Sequence, residues 1–284
     1  MNSQTRTTSQ LHPVNPVNPV KNKEILMTAA TYKKLFVNVA TDQRKALKPL
    51  PFWGSLIAFG APALLMIFSY HVFMPWMIEA GLSVAESFAV AHIAPIAILL
   101  AVSLHVFHNI EGWPLTWSAF SQRFRYPRLT LKMVLLGVGA FIFLNIAYGV
   151  FSQAGIALFD LSATAGTISS VSDVLDGSVQ GRWEIVFLFV MVLVFNVAGE
   201  ELWWRGIILP RQELTYGRWT WIIHGLLWTA FHVFKWWDLL GLLPVCLIIA
   251  YISQRTRNNW PALIAHGLFN GLVFYLVVSA VLGS

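Results

Sequence analysis

Glu200, Glu201 and Arg205 place three formal charges inside an apolar run, in Gly199-Glu200-Glu201-Leu202-Trp203-Trp204-Arg205-Gly206. A charged side chain at the middle of a bilayer costs about 2.5–3.5 kcal/mol on insertion scales, so residues of this kind are functional candidates by default. Glu201 and Arg205 are spaced i,i+4 with the acid first, and on a helix they pair on one face and partly cancel that cost. Glu200 is rotated about 100° from Glu201 and cannot share the same partner equally. It has no evident local partner and is left for chemistry, as a carboxylate that can take a proton from water.

Two histidines in other apolar segments are suited to join it. His232 follows Trp228 by four residues, so an aromatic ring and an imidazole share a helical face; His266 precedes Asn270 by four, so an imidazole and a carboxamide share another. A carboxylate, two imidazoles and an amide meeting in one helix bundle could activate water and stabilise an oxyanion. The same residue types could bind zinc with water in an open position, although no HExxH helix is present to support that alternative. Taken singly, His71, His92, His105 and His108 read as structural histidines. His105 and His108 face one way at i,i+3 with Glu111 alone as an accompanying carboxylate, and His224 reads as packed or interfacial, with a place at an entrance as the alternative. Trp203 and Trp204 are equally suited to shape a groove and to pack or face lipid.

The pattern Glu200-Glu201-x-x-x-Arg205, His232, and His266-x-x-x-Asn270 resembles the CPBP intramembrane proteases, also known as the type II CAAX prenyl endopeptidase or ABI family. The match covers roughly residues 185–281. The family's second motif usually begins with Phe where this chain has Trp228, an aromatic replacement that keeps packing beneath the histidine. The resemblance implies a glutamate-dependent endopeptidase without a serine or cysteine nucleophile. In that scheme Glu200 and His232 hold and deprotonate water, His266 and Asn270 donate to the oxyanion, and Glu201, Arg205 and Trp228 position them. It implies no cofactor. A membrane-associated protein or peptide is the substrate expected, with a bacteriocin-like precursor among the candidates. A non-catalytic scaffold or self-immunity protein retaining the motifs is the alternative from another class, and a transporter is a weaker third choice.

These residues must be carried by membrane helices. Of the 284 residues, 57% are hydrophobic and 11% charged, against roughly 25% charged in soluble domains. The fold class is therefore an all-α polytopic transmembrane bundle in contact with the lipid bilayer. Apolar runs long enough to cross the ~30 Å hydrocarbon core lie at about Phe52–Trp76, Ser87–Phe107, Met133–Phe151, Ile185–Leu209, Trp219–Phe234, Leu239–Ile252 and Trp260–Val281, about seven spans. The fifth and sixth are short enough to form one tight hairpin. Lys and Arg concentrate before the first span, around Arg123 to Lys132, around Arg211 and Arg218, and at Arg255 and Arg257. The loops holding Glu79 and Glu86, and Asp160, Asp173 and Asp176, are acidic. This alternation puts the N-terminus in the cytoplasm, and the acidic residues of that last loop argue against an eighth span over Ala154–Leu175.

The formal charge of +6 sits beside apolar runs rather than in one dense, aromatic-interleaved patch, which favours a membrane surface over nucleic acid. Cys246 is the single cysteine, which excludes an intrachain disulfide and a CxxC site. Residues 1–30 read as a disordered tail with a Pro-Val-Asn repeat, and Met27 is an alternative start. Residues 31–50 read as a basic interfacial segment in which Tyr32, Leu35, Phe36 and Val39 share a face, and 51–284 as the protease domain. The last residues hold no Cys-a-a-X. An integral protein of a bacterial cytoplasmic membrane is the expected setting.

Overall fold

The chain divides between Ala46 and Leu47. The structure, a computed structural model, describes residues 47–159, 174–175 and 179–283, all in the second unit. The tail, most of the basic segment and Asp160, Asp173 and Asp176 lie outside the described residues.

Helices occupy every region where a span is predicted. α1 (Phe52–Phe68) runs through a π-helical turn, Ser69–Phe73, into α2 (Met74–Glu79). α3 (Val84–His105) starts at a capping box in which Ser83 and Glu86 bond to each other's backbone amides, and ends in a second π turn, Val106–Ile110. After the short α4 (Trp117–Arg123) come α5 (Leu131–Phe159) and α6 (Trp183–Glu200), the latter continuing through a π-helical segment, Glu201–Ile208, into α7 (Leu209–Tyr216). Gly217, at φ 55°, breaks that helix in a conformation glycine adopts without strain. α8 (Thr220–Phe231), a 3-10 turn (His232–Asp238), α9 (Leu239–Thr256) and α10 (Trp260–Leu282) complete the bundle. Among the described residues there is no strand.

Among the described residues five stretches are long and apolar enough to cross a membrane, against seven predicted. The difference lies in residues 183–256, one such stretch that the chain folds into three arms. α8 has 12 residues, about 18 Å at 1.5 Å per residue, well short of the ~30 Å core. Apolar residues such as Trp53, Ile57, Leu64, Leu131, Leu135, Leu158, Phe187 and Tyr275 are exposed on the outside of the bundle. A surface of that kind, on helices of this length, is the surface of an integral membrane protein.

The predicted basic loops gather at one end. Arg125 is bidentate to Glu213 at 2.8 and 2.6 Å, the amide of Asn259 donates to the Arg125 carbonyl, and that of Leu50 to Arg211. Glu111 is buried and holds both Arg123 and Arg211, so it serves this end and not a site with His105 and His108. Arg182 pairs with Glu86 and Glu184, each at 2.8 Å, and the Gly181 amide bonds to the Val281 carbonyl, which gathers the start of α3, the start of α6 and the end of α10 elsewhere. Within the bundle α3 lies against α6 at Gly199, where an added Cβ would stand 2.8 Å from the Ile96 carbonyl oxygen. That close approach brings His92 of α3 beside Asn196 and Glu200 of α6.

Candidate active site

Glu200 is the last residue of α6 and Glu201 the first of the π-helical segment, a form frequent at functional sites. Glu200, Glu201, Trp204 and Arg205 are all buried there. The widened turn packs two acids, an indole and a guanidinium inward, where a regular helical face would turn one of the adjacent acids away.

Both carboxylate oxygens of Glu201 are engaged. Its Oε2 accepts from Arg205 Nε at 2.9 Å, and its Oε1 is shared by Arg205 Nη2 and by His266 Nδ1 at 2.8 Å. The predicted i,i+4 pair is present, with both partners fully buried. Arg205 also stacks over the Trp228 ring, its guanidinium carbon 3.9 Å from the centroid. These contacts clamp α6, α8 and α10 together.

Glu200 does have partners, contrary to the expectation that it lacks one. Trp204 Nε1 donates to its Oε2 at 3.0 Å and Trp228 Nε1 donates to the same oxygen at 2.9 Å. Both bonds come from neutral indoles, which fix the carboxylate without neutralising it, and their convergence on Oε2 leaves Oε1 to the cavity. The Trp228 ring lies 5.9 Å from the His232 ring, and its N–H adds a bond that the usual Phe lacks.

His232 begins the 3-10 turn after α8. Its Nδ1 lies 2.8 Å from the Trp228 carbonyl oxygen, an acceptor, so Nδ1 carries the proton and the neutral ring keeps a lone pair on Nε2. The hairpin expected of the short fifth and sixth spans turns here, and it sets His232 on the same cavity as Glu200. Its tip is held by His71 Nε2 donating to the Phe234 carbonyl at 2.8 Å and by Tyr148 donating to Asp238 Oδ1 at 2.7 Å. Lys235 pairs with Asp238 at 3.3 Å.

Glu200, Trp228, His232, His266 and Asn270 line one cavity of about 60 Å³ together with His92, Asn196, Lys235 and Cys246. The predicted residues therefore converge, apart from Glu201 and Arg205, which form its supporting wall. His92 and Asn196 were missed. The Asn196 side-chain oxygen accepts from His92 Nε2 at 3.0 Å, which leaves His92 Nδ1 to accept from the Tyr70 hydroxyl at 2.6 Å. Asn196 Nδ2 then donates to Asn270 Oδ1 at 3.1 Å, and Asn270 Nδ2 to the His266 carbonyl at 3.1 Å. One hydrogen of that amide remains for the cavity. The signal available was the spacing of Asn196, four residues before Glu200 and so on its face; nothing local marks His92. His224 is packed, fully buried with Nδ1 2.7 Å from Gln212 Oε1. Among the described residues no three His, Cys, Asp or Glu side chains are gathered as a metal would require.

Residues 182–272 match the family model described as type II CAAX prenyl endopeptidase Rce1-like. A curated relative, the UPF0177 protein YaiF of Lactococcus lactis subsp. lactis (strain IL1403), is 32% identical over 86 residues. That match covers 30% of this chain and 38% of the relative, so the chain spans little more than a third of the relative's length. No solved structure matches significantly. The matched segment contains Glu200, Glu201, Arg205, Trp228, His232, His266 and Asn270: this is a membrane protein with a type II CAAX prenyl endopeptidase Rce1-like segment, the family its motifs resemble.

Proposed function

We propose that this protein is an intramembrane endopeptidase that cleaves a membrane-associated protein or peptide with water activated by Glu200 and His232. The observation that carries the reading is the convergence of two hydrogen-bond acceptors on one buried cavity: Glu200 Oε1, left open by the two indoles, and His232 Nε2, left bare by the Trp228 carbonyl. A water donating to both presents its oxygen lone pairs to a scissile carbonyl. As that oxygen attacks, Glu200 takes its proton and later delivers it to the leaving amine.

The negative charge that forms on the carbonyl oxygen needs donors. Asn270 supplies the amide hydrogen left over from its bond to the His266 carbonyl. His266, anchored through Nδ1 to Glu201 Oε1, lines the same cavity and is the second donor that the motif implies. Arg205 and Glu201 act through His266 and are positioning residues. The Tyr70, His92 and Asn196 chain fixes which way the Asn270 amide points.

Trp228→Phe separates the indole N–H from the ring. A hydrogen bond to a charged group contributes about 1.5–3 kcal/mol to stability, so thermal stability should fall by that order, and kcat/KM should fall about tenfold as Glu200 loses one of its two anchors. Unchanged kinetics would remove Trp228 from the machinery.

The apolar outer surface and the bacterial source of the matched relative support a bacterial cytoplasmic membrane as the setting. The test is cleavage of a membrane-anchored peptide library by the purified protein in nanodiscs, comparing wild type with His232→Ala, each with and without a chelator. Cleavage by wild type that the substitution removes and the chelator leaves intact is the expected result. Loss with chelator, restored by zinc, would replace the metal-free scheme. No cleavage by a folded wild-type protein would favour a scaffold or self-immunity role.

A further inference from the structure

Arg218, Arg255 and Arg257 surround a second cavity, about 600 Å³ in volume, at the end of the bundle where the basic loops meet. It shares no lining residue with the site around Glu200. All three arginines are exposed. The one carboxylate on its wall, Glu213, is already bidentate to Arg125. Among the described residues no carboxylate lies within ion-pair distance of Arg218, Arg255 or Arg257. Arg218 instead lies over the Trp219 ring, 4.8 Å from its centroid. The cavity therefore has three positive charges that no described carboxylate pairs.

The walls are fixed. Gln254 of α9 accepts from the Trp221 amide at 2.8 Å and donates to the Gly217 carbonyl at 2.7 Å, tying the end of α9 to the start of α8. The Trp221 and Tyr251 rings meet edge to face, centroids 5.3 Å apart, and form an apolar side to the same cavity. Trp219 and Tyr251 are each about half exposed at 54% and 46%, as rings at the headgroup level of a bilayer are.

We propose that this cavity binds the phosphate head group of an anionic phospholipid. Guanidinium forks match phosphate oxygens in pairs, and basic pockets between membrane helices on the cytoplasmic side are known to take such head groups. The aromatic wall and the position at the basic end select the lipid over a soluble phosphate: the phosphate meets Arg218, Arg255 and Arg257 while the glycerol and acyl chains lie along Trp221 and Tyr251. Occupancy would tie the α7–α8 turn to the end of α9, the two ends of the hairpin that carries His232.

The test uses the full chain, purified from nanodiscs of phosphatidylcholine with phosphatidylglycerol as minority lipid, and counts retained lipids by native mass spectrometry. Each arginine near an anionic surface contributes about 1 kcal/mol, so changing all three to Gln should lower retention of phosphatidylglycerol about a hundredfold. The single variants Arg255→Gln and Arg257→Gln should each lower it by a smaller factor, which keeps the test valid if the triple variant misfolds. An Arg128→Gln, Lys132→Gln variant, with charge removed from another basic loop, should retain the lipid. Excess inorganic phosphate should not displace it. Retention by the arginine variants, equal loss in the Arg128 and Lys132 control, or displacement by phosphate would each overturn the assignment, the last in favour of a soluble anion.

Discussion

Glu200→Gln should lower kcat/KM about 10²–10⁴-fold, the span general-base residues contribute, while leaving the protein folded. The substitution conserves size and keeps an oxygen for the Trp204 and Trp228 indoles, whose bonds hold the side chain at 3.0 and 2.9 Å. What changes is the atom facing the cavity, which becomes an amide NH₂. It can neither accept a hydrogen bond from water nor take its proton. Measured beside His232→Ala, the loss should be far from additive, because both residues act on one water. Full cleavage by a correctly folded Glu200→Gln protein would exclude Glu200 as the base and turn attention to His232 alone.

Arg205→Ala should be the most destabilising single change in the site, by about 3–5 kcal/mol, because it leaves the Glu201 carboxylate buried without its charge partner. Both side chains are completely buried, and the guanidinium also reaches His266 and the Trp228 ring. The cause can be separated from lost packing. A double variant, Glu201→Gln with Arg205→Met, removes both charges at similar volume, and it should be more stable than Arg205→Ala alone. Thermal unfolding of the three proteins in the same nanodiscs checks the order; a double variant less stable than the single one would mean that packing, and not the stranded charge, dominates.

The membrane class of the protein and the positions of its helices follow from the sequence by itself, since the length of an apolar run against bilayer thickness is a local property. So does the Glu201–Arg205 pair, whose spacing is fixed by helix geometry. The type II CAAX prenyl endopeptidase Rce1-like segment was legible because its residues occupy set spacings in successive apolar runs. The number of crossings was not legible: a run of apolar residues reads alike whether it traverses the bilayer or turns back within it, and residues 183–256 fold into three arms whose 12-residue α8 ends at Phe231, just before His232.

Only the tertiary structure decided which atoms of the site remain available. The two indole bonds to Glu200 arise from different helices, so no spacing along the chain announces the second of them. The Tyr70, His92, Asn196 and Asn270 chain joins four helical segments, and its members look like isolated polar residues in apolar runs until those segments pack. Arg218 and Arg257 are likewise two loop charges in sequence, and the close packing of α8 on α9 makes them walls of one cavity. Hydrophobic length is read one segment at a time, whereas hydrogen-bond direction and charge clustering depend on how segments distant in the chain are brought together.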